Sequence, residues 1–210
     1  MLKHEDLQNG MVAVKKVTTW TDFTDKLFLD EITCLKKVRH KNIVRFLGYC
    51  ADSQGEVLET NGKNVIAEER HRFLCFEYVP NGDLQHYLEE KPPHGYEWNM
   101  RYHIIKGICQ GLDYLEQKRI LHLDLKPANV LLGVHMVPKI TDFGLSRHIN
   151  ENQSTIPTET IDGTLGYVAP EIIGGQISLK ADIYSLGIII IRLLTGITKA
   201  IPEDVRRIHY

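Results

Sequence analysis

The run His122-Leu123-Asp124-Leu125-Lys126-Pro127-Ala128-Asn129, followed after a short strand-like stretch by Asp142-Phe143-Gly144, constrains this chain more than any other feature. A lone Asp-Phe-Gly is a weak signal, whereas His, Asp, Lys, Pro and Asn at fixed offsets ahead of it form a strong one. Each polar member has a task that its spacing permits: a carboxylate to orient a hydroxyl, a lysine to meet phosphate charge, an amide and a second carboxylate to hold magnesium. The plainer alternative, a buried His-Asp pair in an ordinary turn, leaves the remaining matches along the chain unexplained.

With 210 residues, 43% of them hydrophobic, the chain has enough apolar material for a sizeable core in one domain or two small ones. Acidic and basic residues nearly cancel, 27 against 25, which argues against nucleic acid or an anionic membrane as a partner. Any affinity for phosphate must be local. Cys34, Cys50, Cys75 and Cys109 lie far apart without a CxxC pair, and no HExxH occurs, so neither a zinc site nor a disulfide framework is indicated. Reduced thiols in a cytosolic setting fit best. The start, Met-Leu-Lys-His-Glu-Asp, lacks the apolar core of a secretory signal, and the greasiest run, Ile183 to Ile191, is too short to span a bilayer, so no transmembrane segment is expected.

Met11 to Val17, after an Asn9-Gly10 turn signal, is rich in β-branched residues and reads as a strand carrying Lys15. A helical period follows, with Phe28, Ile32 and Leu35 on one face, Asp22 near its start and Glu31 inside it. The polar stretch from Ala51 to Arg70, with a second turn signal at Asn61-Gly62, reads as an extended hairpin. Arg72 to Val79 is an apolar strand running into Pro80-Asn81-Gly82. Ile104, Ile108, Leu112 and Leu115 recur at helical spacing and form a core face without chemistry of their own. The helix continuing to Thr195 is apolar nearly all round, as expected for one buried at the centre of a lobe.

These motifs together resemble the eukaryotic protein kinases. The resemblance implies an α+β, bilobal fold, with a small β-rich N-lobe and hinge over residues 1–79 and a mainly helical C-lobe over 80–210. It implies ATP and Mg2+ (or Mn2+) as cofactors. By position, Asp124 is the catalytic base, Lys126 neutralises charge on the transferred group, and Asn129 and Asp142 are metal ligands. Lys15 grips the α- and β-phosphates, and Glu31, sixteen positions on, is its ion-pair partner. Ala13 and Leu131 would enclose the adenine ring, Phe76 would guard the back of the pocket, the Glu77 carbonyl and Val79 amide would hold the base, and Asp83 would reach the ribose. His122, Phe143 and Leu35 match an internal apolar column, and Asp182 matches the acid that anchors the catalytic loop. The stretch from Asp142 to Glu171 has the ends of an activation segment. Within it Thr164 is placed to bridge Asp124 and Lys126, and Ser154, Thr155, Thr158 and Thr160 are candidate phosphate acceptors, with none of them preferred.

Lys126, Pro127 and Thr164 resemble serine/threonine kinases more than tyrosine kinases. Gly48-Tyr49-Cys50, Glu77-Tyr78-Val79-Pro80-Asn81-Gly82 and Gly163-Thr164-Leu165-Gly166-Tyr167 resemble plant receptor-like kinases, in their phrasing those of grasses. Protein substrates and a receptor or co-receptor kinase are the partners implied, at the cytosolic side of the plasma membrane. Leu123 departs from the pattern: most kinases carry there an arginine whose charge is balanced by a phosphorylated activation loop. Dependence on loop phosphorylation should therefore be reduced. No G-x-G-x-x-G precedes Met11, and the final C-lobe helices, with the arginine that would pair with Glu171, are not expected in a chain ending at Tyr210. Both lobes are thus expected to be incomplete, with apolar helix surface exposed. A catalytically weak or silent kinase-like binding module is the alternative reading of the same residues.

Overall fold

A computed structural model describes residues 10–18, 22–60, 63–90, 98–150 and 153–196. Asn9 and the Asn61-Gly62 turn lie outside those residues, as do the first nine positions and the last fourteen, 197–210. Nine strands and five α-helices are described, and the mixed α+β, two-lobed arrangement matches expectation.

The N-terminal part is a three-stranded antiparallel sheet in the order β1-β3-β2, formed by β1 (Val12–Thr18), β2 (Phe46–Thr60) and β3 (Lys63–Glu77). Val12 faces Glu77 and Thr18 faces His71, so β1 covers only the last part of β3. Beyond His71 the β2–β3 ladder continues alone to Thr60 opposite Lys63, a two-stranded arm that confirms the extended hairpin. The two-residue period of β1 sets Ala13, Lys15 and Val17 on the half-buried face, while Val12, Val14 and Lys16 are exposed.

Helix α1 (Asp22–Leu35) lays Phe28, Ile32 and Leu35 into the core at helical spacing. The root of the hairpin arm fastens its first half. Asp25 accepts hydrogen bonds from Arg70 Nη1 at 2.9 Å and Arg72 Nε at 3.0 Å, while Arg72 Nη1 donates to the Asp52 carbonyl at 2.8 Å.

Past the hinge, Asp83 caps α2 (Leu84–Glu90) by accepting from the His86 amide at 2.9 Å, and Asn81 N and Gly82 O bond Leu132. Helix α3 (Trp98–Gln117) buries Ile104, Ile108, Leu112 and Leu115, as its period predicts. It is followed by β4 (Ile120–Leu121), the loop that carries Asp124, and β5 (Val130–Leu132), which pairs with β6 (Pro138–Ile140). β7 (Arg147–His148) pairs with β4. Further on, β8 (Thr155–Pro157) pairs with β9 (Gln176–Ser178) across a short helix, α4 (Pro170–Ile173). Main-chain bonds from Val44 to Ile140 and from Ile140 to Asn42 join the sheet region to the helical part.

Helix α5 (Ala181–Thr195) ends at Gly196, whose φ of 69° is the left-handed conformation that closes a helix without strain on a Cβ. It was expected at a lobe centre, apolar all round. In the structure Asp182, Ser185, Ile189 and Leu193 are buried, whereas Ile183, Ile191 and Leu194 are exposed, so only one face is covered among the described residues. No helix among the described residues is long and apolar enough to cross a membrane.

Candidate active site

Three elements converge on one cluster of charges. Lys15, on the inward face of β1, donates to Glu31 of α1 at 3.0 Å and to Asp142 Oδ1 at 2.7 Å. Asp142 holds a φ of 66°, and Gly144 borders the cluster, where an added Cβ would sit at ordinary contact distance, 3.5 to 3.7 Å, from Asp142, Glu31 and Lys15.

The charge states follow from burial and pairing. Burial alone would lower Lys15, but Glu31 and Asp142 outweigh it and its pKa is raised, so the ammonium persists. Burial would raise Asp142, yet the Lys15 contact prevails and holds its carboxyl below 3.8. Glu31 responds the other way. Its side chain is 4% exposed, and lost hydration raises its pKa although the same lysine opposes the shift. Both ends of this pair are therefore raised, which favours the charged form of Lys15 and the neutral form of Glu31. The 3.0 Å contact and the raised Lys15 favour the ion-paired form, with Asp142 the firmer anion.

The catalytic-loop residues form a second network. The buried Asp182 carboxylate accepts the amides of His122 at 2.7 Å and Leu123 at 2.8 Å, where Leu123 is held at a φ of 65°. Burial raises the Asp182 pKa against those two bonds. His122 meets Thr141 O through Nε2 at 2.8 Å and sets its ring edge-on to Phe143, with centroids 5.1 Å apart, so it couples this loop to the Asp142 segment. Asp124 is then surrounded by donors: Lys126 Nζ reaches Oδ2 at 2.7 Å, Asn129 Nδ2 reaches Oδ2 at 3.0 Å, and the Thr164 hydroxyl donates to Oδ1 at 2.6 Å. Lys126 Nζ also donates to Thr164 Oγ1 at 2.7 Å, the bridge that the sequence led us to expect.

Asn129 commits its amide nitrogen to Asp124, which leaves its carbonyl oxygen as an acceptor, and Asp142 is 44% exposed. Hard oxygen donors of this kind suit Mg2+ or Mn2+, which keeps few protein ligands when substrate phosphates complete its shell. No cluster of three or more His, Cys, Asp or Glu side chains suited to a metal occurs among the described residues.

Among the residues expected to enclose adenine, Phe76 and Val79 are buried and Ala13 and Leu131 pack half-buried against the same core. The Glu77 side chain is engaged by Lys139 at 2.8 Å and by the Arg45 amide at 2.9 Å. A cleft of about 280 Å³ runs along the basic loop from Val38 to Arg45 and reaches Glu77 and Lys139, and one of about 420 Å³ lies between the end of α1 and the start of β2.

Not every expected residue joins the site. Ser154, Thr155 and Thr160 are exposed and Thr158 is half-buried; Thr158 donates to Thr160 O, and Thr160 to Asp162. Glu171, expected to lack its arginine partner, accepts from Ser178 Oγ at 2.8 Å. Asp83 caps a helix, a task that a Ser, Thr, Asp or Asn just ahead of an apolar helical run could have signalled. The Asp25-Arg72 tie and the contacts of Arg119 went unread, because nothing in local spacing marks a partner dozens of residues away.

Comparison with known proteins agrees with this geometry. The family model described as protein kinase domain matches residues 2–206. The chain is 35% identical over 190 residues to cysteine-rich receptor-like protein kinase 38 of Arabidopsis thaliana, covering 88% of this chain and 27% of that protein. It is 38% identical over 196 residues to a G-type lectin S-receptor-like serine/threonine-protein kinase of the same plant, covering 90% of this chain and 21% of the relative. The chain therefore spans about a quarter of the length of these curated relatives. With the residues of the Asp124 loop and the Lys15-Glu31-Asp142 cluster in contact as described, and a family match running nearly end to end, the chain belongs to the protein kinase domain family.

Proposed function

We propose that this chain is the catalytic domain of an ATP-dependent protein serine/threonine kinase of receptor-like type. The observation that carries the reading is the donor set on Asp124, with Lys126, Asn129 and Thr164 holding one carboxylate in place. Residues 1–79 form the smaller lobe and hinge, and 80–210 the larger lobe. In this mechanism Asp124 orients the hydroxyl of a protein serine or threonine and accepts its proton. That oxygen bonds the γ-phosphorus as the bond to the β,γ-bridging oxygen breaks. Lys126 meets the charge on the group in transit, and Lys15, aligned by Glu31, meets the α- and β-phosphates. Asn129 and Asp142 hold Mg2+ or Mn2+, which when bound neutralises the remaining phosphate charge. The adenine would lie between Ala13 and Leu131 with Phe76 behind it, bonded by the Glu77 carbonyl and Val79 amide, and Asp83, whose Oδ1 caps α2, would reach the ribose through its other oxygen. A threonine hydroxyl bridging base and lysine supports serine and threonine as acceptors.

The names of the relatives support a place at the cytosolic side of the plasma membrane, with a receptor or co-receptor kinase as partner. The test is transfer of labelled γ-phosphate from Mg-ATP to a generic protein substrate by the purified chain, beside Asp124→Asn, with the labelled amino acid identified. Phosphoserine and phosphothreonine abolished by the substitution are expected. Absence of transfer by soluble, folded protein would sink the catalytic claim in favour of a binding module.

A further inference from the structure

Leu123 stands where a charged partner for a phosphorylated segment would be expected, and the structure shows what occupies that side of the catalytic loop. Leu123 is 8% exposed and belongs to an apolar cluster with Leu121, Ile149 and Ile177, against which Ile156 packs. Ile149 and Ile156 lie in the activation segment, so this cluster fastens the segment to the loop that carries Asp124. β8 continues the attachment: Ile156 pairs with Ile177, and the Thr158 amide donates to Gly175 O at 3.0 Å.

The second attachment is Arg119, in the turn between α3 and β4, with a φ of 55°. Its Nε donates to Ile149 O at 3.2 Å, and its Nη2 donates to Asn150 O at 2.9 Å and also to Gln153 O. Its own carbonyl accepts from the Ile149 amide at 2.9 Å. One guanidinium thus collects three carbonyls from a bend of the segment, a task suited to its fixed fork of donors. None of these contacts involves a hydroxyl that could carry phosphate.

We propose that Arg119, with the apolar seat around Leu123 and Ile156, is the positioning residue that holds the activation segment in its substrate-ready course in the unphosphorylated protein. Arg119 acts on the segment's main chain and touches neither nucleotide-site nor catalytic side chains. Its loss therefore weakens engagement of the protein substrate more than engagement of ATP. This kinetic arm rests on the kinase reading; the structural arm does not.

The experiment is amide hydrogen exchange on phosphatase-treated protein, comparing wild type with Arg119→Gln, Arg119→Lys and Ile156→Ser, together with steady-state kinetics. Wild type is expected to protect residues 147–157 without phosphate. Arg119→Gln should speed exchange there by about tenfold or more while α5 stays protected, and Arg119→Lys should fall between the two. Arg119→Gln should also raise KM for the protein substrate several-fold and leave KM for ATP within about twofold. Should Arg119→Gln fail to fold, Ile156→Ser carries the same expectation. Unchanged exchange in the folded variants, or a wild-type segment protected only after phosphorylation, overturns the proposal. Exchange is read without turnover, so an inactive yet protected segment would refute the kinase reading and leave the role of Arg119 standing.

Discussion

The Thr164 hydroxyl donates a 2.6 Å hydrogen bond to Asp124 Oδ1 across forty positions of sequence. The carboxylate proposed to orient the acceptor hydroxyl is therefore itself oriented by Thr164, forty positions on. Thr164→Val removes the hydroxyl at nearly constant volume, and kcat should fall about tenfold to a hundredfold, the consequence of losing one charge-assisted bond of about 1.5–3 kcal/mol. Thr164→Ser should retain most of the rate. KM for ATP should change little in both, which steady-state assays at varied ATP check.

Lys15 is shared by Glu31 and Asp142. Lys15→Met should lower turnover by about a hundredfold or more, since it removes a cation aimed at phosphate. The substitution also tests the acid limb of stability. The Asp142 carboxyl is held below its ordinary value of 3.8, so its pairing contributes above that pH and is lost as pH falls through the folded value. Acid unfolding followed by circular dichroism should show a smaller loss from this source in Lys15→Met.

Tyr167 contributes to the alkaline limb. Burial raises its phenol from 10.0 to about 12, with Arg192 lying 4.9 Å from the ring centroid and opposing the shift. The unfolded chain releases this proton from about pH 10, whereas the folded protein retains it to about 12. The contribution is fully present below pH 10 and is lost as pH rises to 12, by up to about 3 kcal/mol. Tyr167→Phe should abolish that portion of the decline in denaturant titrations. At neutral pH it should cost less than about 1 kcal/mol, because the buried hydroxyl has no hydrogen-bond partner among the described residues.

Gly107 illustrates a substitution that helix propensity misjudges. Alanine is favoured over glycine by about 1 kcal/mol in a helix interior. Here an added Cβ would meet Asn42 Nδ2 and Pro138 Cδ at 2.8 Å, with Pro138 Cγ nearer still. Gly107→Ala should therefore destabilise by about 1–3 kcal/mol by forcing α3 from β6, measured as a lowered denaturant midpoint with unchanged slope.

The residues proposed as catalytic were legible as candidates because phosphoryl-transfer chemistry demands particular side chains at short, fixed offsets. Asp124, Lys126 and Asn129 fall on one loop, where no long-range pairing decides their spacing. Lys15 and Glu31 were legible as residues through strand and helix periods plus the family resemblance, and their 3.0 Å contact followed. The exposed side of α5 agrees with the expectation of uncovered apolar helix surface, but which of its residues lie bare could not be read, since the hydrophobicity of Ile183 and Ile191 says nothing about which neighbours cover them. The capping role of Asp83 was masked by a functional expectation for the same residue.

By itself, then, the sequence determined the elements, the loop carrying Asp124, and the chemical identity of each group able to handle phosphate, because these depend on local periodicity and on functional groups. Only the tertiary structure decided that Asp142 and Glu31 share one lysine, that Asp25 ties α1 to the hairpin arm, and that Arg119 and Leu123 hold the activation segment. Those relationships join residues far apart in the chain, and their strength depends on burial and geometry, which exist only once the chain has packed.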